Sequence, residues 1–289
     1  MRHNEGKFTA GDGLEIYHQA WAADGPPKAA ILIVHGLGEH SSRYHNYTDY
    51  FVPRGYTLFG FDLRGHGRSG GPRGHVERFD RFVDDVGHMV ALIREQLSAT
   101  PLFLLGHSLG SLPTLVYALR YPDGLAGIIT SGTALRDGLE IPNWKRALAR
   151  ILSRVAPTVK FDNGIRTEYL SHDTQAVETY AHDPLVHHVG TPRLATEAEA
   201  IRQMLYTRAS EWKLPLLMLH GGDDHICLPA GAQAFQAKTP QNLTALRQYD
   251  GLYHEIHNEI GKESVFRDIE NWLADQTAVA ISKSQPEQR

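Results

Sequence analysis

Leu102-Phe103-Leu104-Leu105-Gly106-His107-Ser108-Leu109-Gly110-Ser111-Leu112-Pro113-Thr114-Leu115 is the stretch that decides the fold of this chain. An apolar run of strand length leads into G-x-S-x-G, and a helical pattern follows at once. The spacing predicts a strand, a sharp turn and a helix, with Ser108 at the apex. Such a turn strains the serine backbone and leaves no room for side chains two residues before and two after it, and Gly106 and Gly110 meet that demand. A hydroxyl held there stands above the sheet, over the positive N-terminus of the next helix, where a developing oxyanion is favoured. The stretch therefore predicts a nucleophile for acyl transfer.

Outward from this turn, short apolar runs alternate with longer helical patterns. Strands are expected near 29–34, 57–61, 102–105, 127–130, 214–219 and 243–248, and helices near 44–52, 79–96, 109–120, 229–238 and 260–275. Alternation of this kind predicts an α/β fold with a mostly parallel central sheet flanked by helices. Two N-terminal segments around Gly11-Asp12-Gly13 read as an antiparallel hairpin on the sheet edge. The alternation lapses from 133 to 207, which predicts a helical cap inserted after a late strand. Residues 1–132 and 208–276 then form the core domain, and the polar stretch 277–289 is expected to be a disordered tail.

At 289 residues and 42% hydrophobic, the chain can bury a large core. Its net charge of -4 gives no field that would draw nucleic acid. The single cysteine, Cys227, excludes an intrachain disulfide, and the N-terminal residues lack the apolar segment of a signal peptide. A cytoplasmic location is the resulting expectation.

A serine hydroxyl needs a histidine to take its proton and a carboxylate to fix that histidine. In a sheet of this kind the acid follows a late strand and the base follows the last one. Asp223 and Asp224 follow the 214–219 run, and His254 and His257 follow the 243–248 run. Asp224 is preferred as the acid because His225-Ile226 then begins the descent to the next helix. His254 is preferred as the base because it lies in the loop ahead of the last helix. The second oxyanion donor, besides the Leu109 amide, is expected from the loop His35-Gly36-Leu37-Gly38, most simply at Leu37. Gly65-His-Gly67-Arg-Ser-Gly70 matches a dinucleotide fingerprint, but no helix opens after it, so no cofactor is expected. His254-Glu255-Ile256-His257 lacks the spacing of a zinc-binding H-E-x-x-H, and no metal site is expected.

These motifs resemble the α/β-hydrolase family, and more narrowly its monoacylglycerol lipase and lysophospholipase-like members, from about Gly6 to Leu273. The segments that carry the resemblance are 35–44, 62–69, 106–110, 180–185, 222–227 and 249–257. The resemblance implies Ser108, Asp224 and His254 as the triad, with Leu37 and Leu109 as oxyanion donors. It further implies a glycerol head-group site at Glu39, Arg43, Tyr180 and His257, and a thiol at Cys227 near the pocket.

Within the expected cap, Trp144, Leu148, Ile151, Leu152 and Val155 share one helical face, while Lys145, Arg146, Arg150 and Arg154 lie mostly elsewhere. Such a helix either packs its apolar stripe on the core domain or lays it on an anionic lipid surface. The expected function is a serine carboxylester hydrolase, a monoacylglycerol lipase releasing glycerol and fatty acid, in peripheral contact with membrane through 144–155. The alternatives are a broader carboxylesterase or lysophospholipase, a peptidase of the proline-iminopeptidase type, or a hydrolase-fold receptor that binds a small lipid without turnover.

Overall fold

The computed structural model describes residues 1–138 and 141–284. β1 (Arg2–Thr9), β2 (Glu15–Ala22) and β3 (Ala29–Val34) precede α1 (His45–Phe51). β4 (Tyr56–Phe61) leads to α2 (Asp80–Gln96), and β5 (Leu102–His107) to α3 (Ser111–Arg120). After β6 (Gly127–Ser131) come α4 (Asn143–Val155), β7 (Phe161–Asp162), α5 (Thr174–His182), β8 (Val189–Gly190) and α6 (Pro192–Arg208). β9 (Leu216–Gly221), α7 (Pro229–Gln236), β10 (Thr244–Tyr249) and α8 (Glu263–Ser284) follow.

Among the described residues the main sheet has eight strands in the order β1-β2-β4-β3-β5-β6-β9-β10. β1 pairs antiparallel with β2, and β2 antiparallel with β4, while every pair from β4 to β10 is parallel. The N-terminal hairpin thus forms one edge of an otherwise parallel sheet. Side chains alternate across each strand, so both faces of the parallel strands must be apolar. Leu32 and Val34 join the α2 and α3 side chains on one face, and Ile31 and Ile33 join those of α1 and α8 on the other. All parallel strands therefore end at the same rim, where the loops that follow β3, β5, β9 and β10 lie together.

Among the described residues, the stretch between β6 and β9 holds three α-helices and the short antiparallel pair β7–β8. Within it, α4 does not bury its apolar stripe. Trp144 is 64% exposed, Leu148 45%, Ile151 59% and Val155 73%. The helix turns its small side inward instead, with Ser153 buried and its hydroxyl 2.7 Å from that of Thr196 on α6.

The C-terminal end differs from the sequence-based expectation of a disordered tail from 277. α8 continues without a break through Ser284, and 285–289 lie outside the described residues. From Glu263 to Gln285 there is neither glycine nor proline to stop it, and alanines at 274, 278 and 280 favour propagation once Val265, Phe266, Ile269 and Leu273 have docked the first turns.

Candidate active site

Ser108 has φ of 50°, the single non-glycine positive value among the described residues. A left-handed serine between β5 and the start of α3 is a backbone strained for presentation of its side chain. The flanking glycines explain how the turn closes. A Cβ at Gly106 would come 2.7 Å from the Gly110 carbonyl oxygen and the Ser111 Cα, and one at Gly110 would collide with the carbonyl oxygens of Val34 and His35. The nucleophile turn is thus wedged directly against the end of β3, where the second loop of the site begins.

That loop, 35–38, is held from several sides. The Leu63 amide donates to His35 Nε2 at 2.8 Å, so Nδ1 must carry the proton, which it donates to the Gly36 carbonyl at 2.8 Å. The Gly36 amide donates to Glu39 Oε1 at 2.6 Å, and the His187 amide donates to the Gly38 carbonyl at 2.9 Å. Leu37 sits between these fixed points. Gly36 approaches the nucleophile so closely that a Cβ there would lie 3.0 Å from that of Ser108.

The acid loop after β9 and the histidine loop after β10 meet at one bond. The carboxylate that reaches the imidazole belongs to Asp224, whose Oδ2 lies 2.7 Å from His254 Nδ1, while Asp223 is exposed. Asp224 Oδ1 accepts the amides of Ile226 and Cys227, each at 2.9 Å. Burial raises the cost of its charge, but the imidazoles of His254 and His220 outweigh it and hold the carboxyl well below the ordinary range. As an ionised carboxylate only accepts, His254 Nδ1 carries the proton and Nε2 is left with its lone pair. Burial opposes a charged His254, yet Asp224 outweighs it and the imidazole is shifted upward from its usual value. A Cβ at Gly132 would lie 2.8 Å from His254 Cε1, so that glycine makes room for the ring.

His220, at the end of β9, also serves the acid. Its Nε2 lies 2.7 Å from the Cys227 carbonyl oxygen and 3.2 Å from Asp224 Oδ2. A carbonyl accepts only, so Nε2–H is the donor, and the carboxylate's acceptor sites are filled from four directions.

Around His254 lie two further histidines. The His107 ring centroid is 4.8 Å from that of His254 and 5.0 Å from that of His257. His257 stacks on Tyr44 at 5.1 Å and is fully buried. Burial pushes His107 down to about 3 and His257 down to about 4, so both are neutral beside the upward-shifted His254.

Glu39, Arg43 and Tyr180 do come together, and Glu39 and Arg43 largely spend their polar atoms on protein partners. Arg43 donates Nη1–H to Glu39 Oε2 at 2.5 Å and to Glu255 Oε1 at 2.8 Å, and Nη2–H to Glu255 Oε2 at 2.8 Å. Tyr44 donates its hydroxyl to Glu39 Oε1 at 2.9 Å, and the Arg43 guanidinium lies 4.5 Å from the centre of the Tyr180 ring. Burial raises the cost of both carboxylates, but Arg43 overrides this and keeps both shifted downward, as anions.

The Cys227 thiol is buried, and burial, followed by the charge of Asp224, pushes it well up. The stretch between β6 and β9 meets the loop that follows β10. The His254 amide donates to the Tyr169 carbonyl at 3.3 Å and the Glu255 amide to the Leu170 carbonyl at 2.8 Å. Among the described residues, no group of three or more His, Cys, Asp or Glu side chains could hold a metal ion.

Sequence reasoning gave no role to Glu255, His220, His107 or Gly132. For Glu255 the sequence offers only an acid beside the expected base, because the arginine that pairs with it lies 212 residues away. The family model for serine aminopeptidase, S33, matches residues 25–261. The chain is 31% identical to the monoacylglycerol lipase of Mycolicibacterium smegmatis, covering 93% of this chain and 96% of that one. It is 30% identical to the human monoglyceride lipase, over 95% of this chain and 92% of that one. The crystal structure of the Paleococcus ferrophilus monoacylglycerol lipase is 31% identical over 96% of this chain and 100% of that one, with a TM-score of 0.79. A strained serine at the end of β5 in a mostly parallel sheet, matched this broadly in sequence and in three dimensions, places the chain in the serine aminopeptidase S33 family of α/β-hydrolases, and the chain belongs to it.

Proposed function

We propose that this chain is a serine carboxylester hydrolase that cleaves monoacylglycerols to glycerol and a fatty acid. The observation that carries the proposal is the 2.7 Å Asp224–His254 bond, with the His254 ring 4.8 Å from that of His107, the residue next to a serine held at φ of 50°. His254 Nε2 takes the Ser108 proton as the hydroxyl oxygen attacks the ester carbonyl, and the Leu37 and Leu109 amides receive the oxyanion. The imidazolium, steadied by Asp224, gives its proton to the departing glycerol oxygen. Water then repeats the cycle on the acyl-enzyme, releasing the fatty acid.

Arg43 and Tyr180 form the polar end that meets glycerol hydroxyls, with Glu39 and His257 supporting them from behind. The commitment of Glu39 and Glu255 to Arg43 favours an ester over a peptide with a free α-amine, since an aminopeptidase needs an uncommitted carboxylate for that amine. No cofactor takes part.

The residues from 133 to 207 act as a cap, and α4 is its contact with membrane. Its exposed apolar stripe and its lysine and arginines match an anionic lipid surface. Among the described residues no helix is long and apolar enough to cross a bilayer, so such contact is peripheral.

Fluorophosphonate labelling of Ser108 and steady-state turnover on monoacylglycerols, lysophosphatidylcholine and aminoacyl anilides test the proposal. Monoacylglycerols are expected to turn over fastest. Equal rates on all esters would remove the head-group assignment, faster anilide cleavage would favour the peptidase, and labelling without turnover on any substrate would favour the receptor.

A further inference from the structure

The two halves of the proposed catalytic machinery stand on strands that do not touch. The oxyanion turn follows β3 and the histidine loop follows β10, and β5, β6 and β9 lie between them. Four strand spacings amount to roughly 19 Å, so both loops must lean over the sheet and be registered against each other above it. The backbone of the sheet does not supply that registration.

A continuous buried path does. The Gly36 amide, one residue before Leu37, donates to Glu39; Glu39 pairs with Arg43; and Arg43 grips Glu255 with both guanidinium nitrogens at 2.8 Å. Glu255 is the residue directly after His254. The far end is anchored as well: Asn258 Nδ2 donates to Glu255 Oε2 at 2.7 Å, and Asn46 Nδ2 of α1 donates to Asn258 Oδ1 at 2.8 Å. Glu39, Arg43, Glu255 and Asn258 are all buried. We propose that Glu255 is a positioning residue for ester hydrolysis, which through Arg43 and Glu39 sets the catalytic histidine's loop and the oxyanion turn at a fixed separation and orientation.

The chemistry of the path suits that task. A buried ion pair adds little net stability over an apolar replacement, because desolvation consumes most of the Coulomb gain. What a two-pronged arginine–carboxylate contact supplies is direction, since two parallel N–H···O bonds fix the planes of both groups. An imidazole and an oxyanion donor that must act on one tetrahedral centre need that fixed geometry. The path also carries two carboxylates and one guanidinium, hence one net negative charge. The groups that face His254 are Asp224 from the acid loop, His107 from the nucleophile turn, His257 and Glu255 from its own loop, and Glu39 from the oxyanion side. Of these the two glutamates reinforce Asp224 in favouring the imidazolium.

The inference rests on the hydrolase proposal, and its test separates the two. A p-nitrophenyl ester is used because its leaving group has no glycerol hydroxyls, so loss of head-group recognition does not register. Active-site titration with a fluorophosphonate counts competent Ser108, which expresses kcat per folded site and removes any fraction that fails to fold. Glu255→Gln and Glu255→Leu leave Arg43 paired with Glu39 and so leave no lone buried charge. Both are expected to lose roughly 10²-fold in kcat per titrated serine, the scale of an ångström-sized misplacement, with KM within about twofold of the parent. The acid limb of their kcat/KM profile is expected to move to lower pH, a shift that a merely structural role would not produce. Glu255→Asp, which keeps the charge and shortens the reach, is expected to restore the limb but not the turnover. Parental kcat per titrated serine in Glu255→Leu, or a limb unmoved in both charge-removing variants, overturns the inference. Absence of a titratable serine in the parent overturns the hydrolase proposal itself.

Discussion

The catalytic rim and the outer face of α4 break the usual distribution of residues in opposite directions. At the rim, Glu39, Arg43, Asp224 and Glu255 are charged and buried; on α4, Trp144, Leu148, Ile151 and Val155 are apolar and exposed. Charges go inside when their partners are supplied there, and each of these has its partner within 2.8 Å. Large apolar side chains stay outside in a contiguous patch when a surface other than the protein's own is to cover them. The rim's charges are thus paired within the chain, whereas under the proposed function the α4 stripe is covered by a lipid surface. The two regions should fail independently.

Ser108→Ala is expected to lower turnover on the order of a million-fold while leaving liposome binding unchanged; a parallel loss of binding would join the regions and break the contrast. Asp224→Asn is expected to cost roughly 10⁴-fold in kcat. The sign of its pH effect follows from the charge. Burial disfavours the His254 imidazolium, but Asp224 outweighs it and raises the pKa, so the parental acid limb lies above the ordinary value for histidine and activity falls as pH drops through it. Removing the negative charge leaves burial in control, and the limb should move to lower pH. A pH–rate profile of kcat/KM reads this directly, and a limb that stays in place would detach Asp224 from the base.

On the other side, Arg150→Glu with Arg154→Glu should weaken sedimentation with anionic vesicles by at least about 30-fold, at roughly 1 kcal/mol for each basic residue removed from the surface. Hydrolysis of a p-nitrophenyl ester in the same variant should remain parental. Unchanged sedimentation would remove the lipid assignment of α4. The smallest effect is expected at Cys227: burial, then the charge of Asp224, pushes its thiol up, so iodoacetamide should modify it slowly at neutral pH. Fast modification there would show that the rim opens more readily than its packing implies.

Much of the frame was legible because its signals are local. β3 and β5 announce themselves as apolar runs bounded by glycine-rich loops, and the turn at Ser108 by two glycines whose absent side chains a neighbouring strand requires. The order of serine, aspartate and histidine followed from where each sits after a strand. Glu255 was not legible, since Arg43, the group that gives it meaning, is 212 residues away. His220 was not legible, because nothing in the sequence tells that its Nε2–H reaches Asp224. The stretch from 277 looks like a tail because it is polar, but the helix docked upstream carries it on through Ser284.

α4 marks the boundary most clearly. Its sequence determined that one face is apolar and the other basic, because side chains 3.6 residues apart share a face whatever the helix meets. Which face meets the protein was decided by packing, where Ser153 against Thr196 lets α6 approach the small side and leaves the tryptophan outside. The same division holds for the rim. Local sequence set the kind of side chain at the end of each strand, while the sheet order β3-β5-β6-β9-β10 decided which ends stand together and how far the buried ion path must reach. Strand order arises from contacts distant along the chain, and no short stretch of residues encodes it.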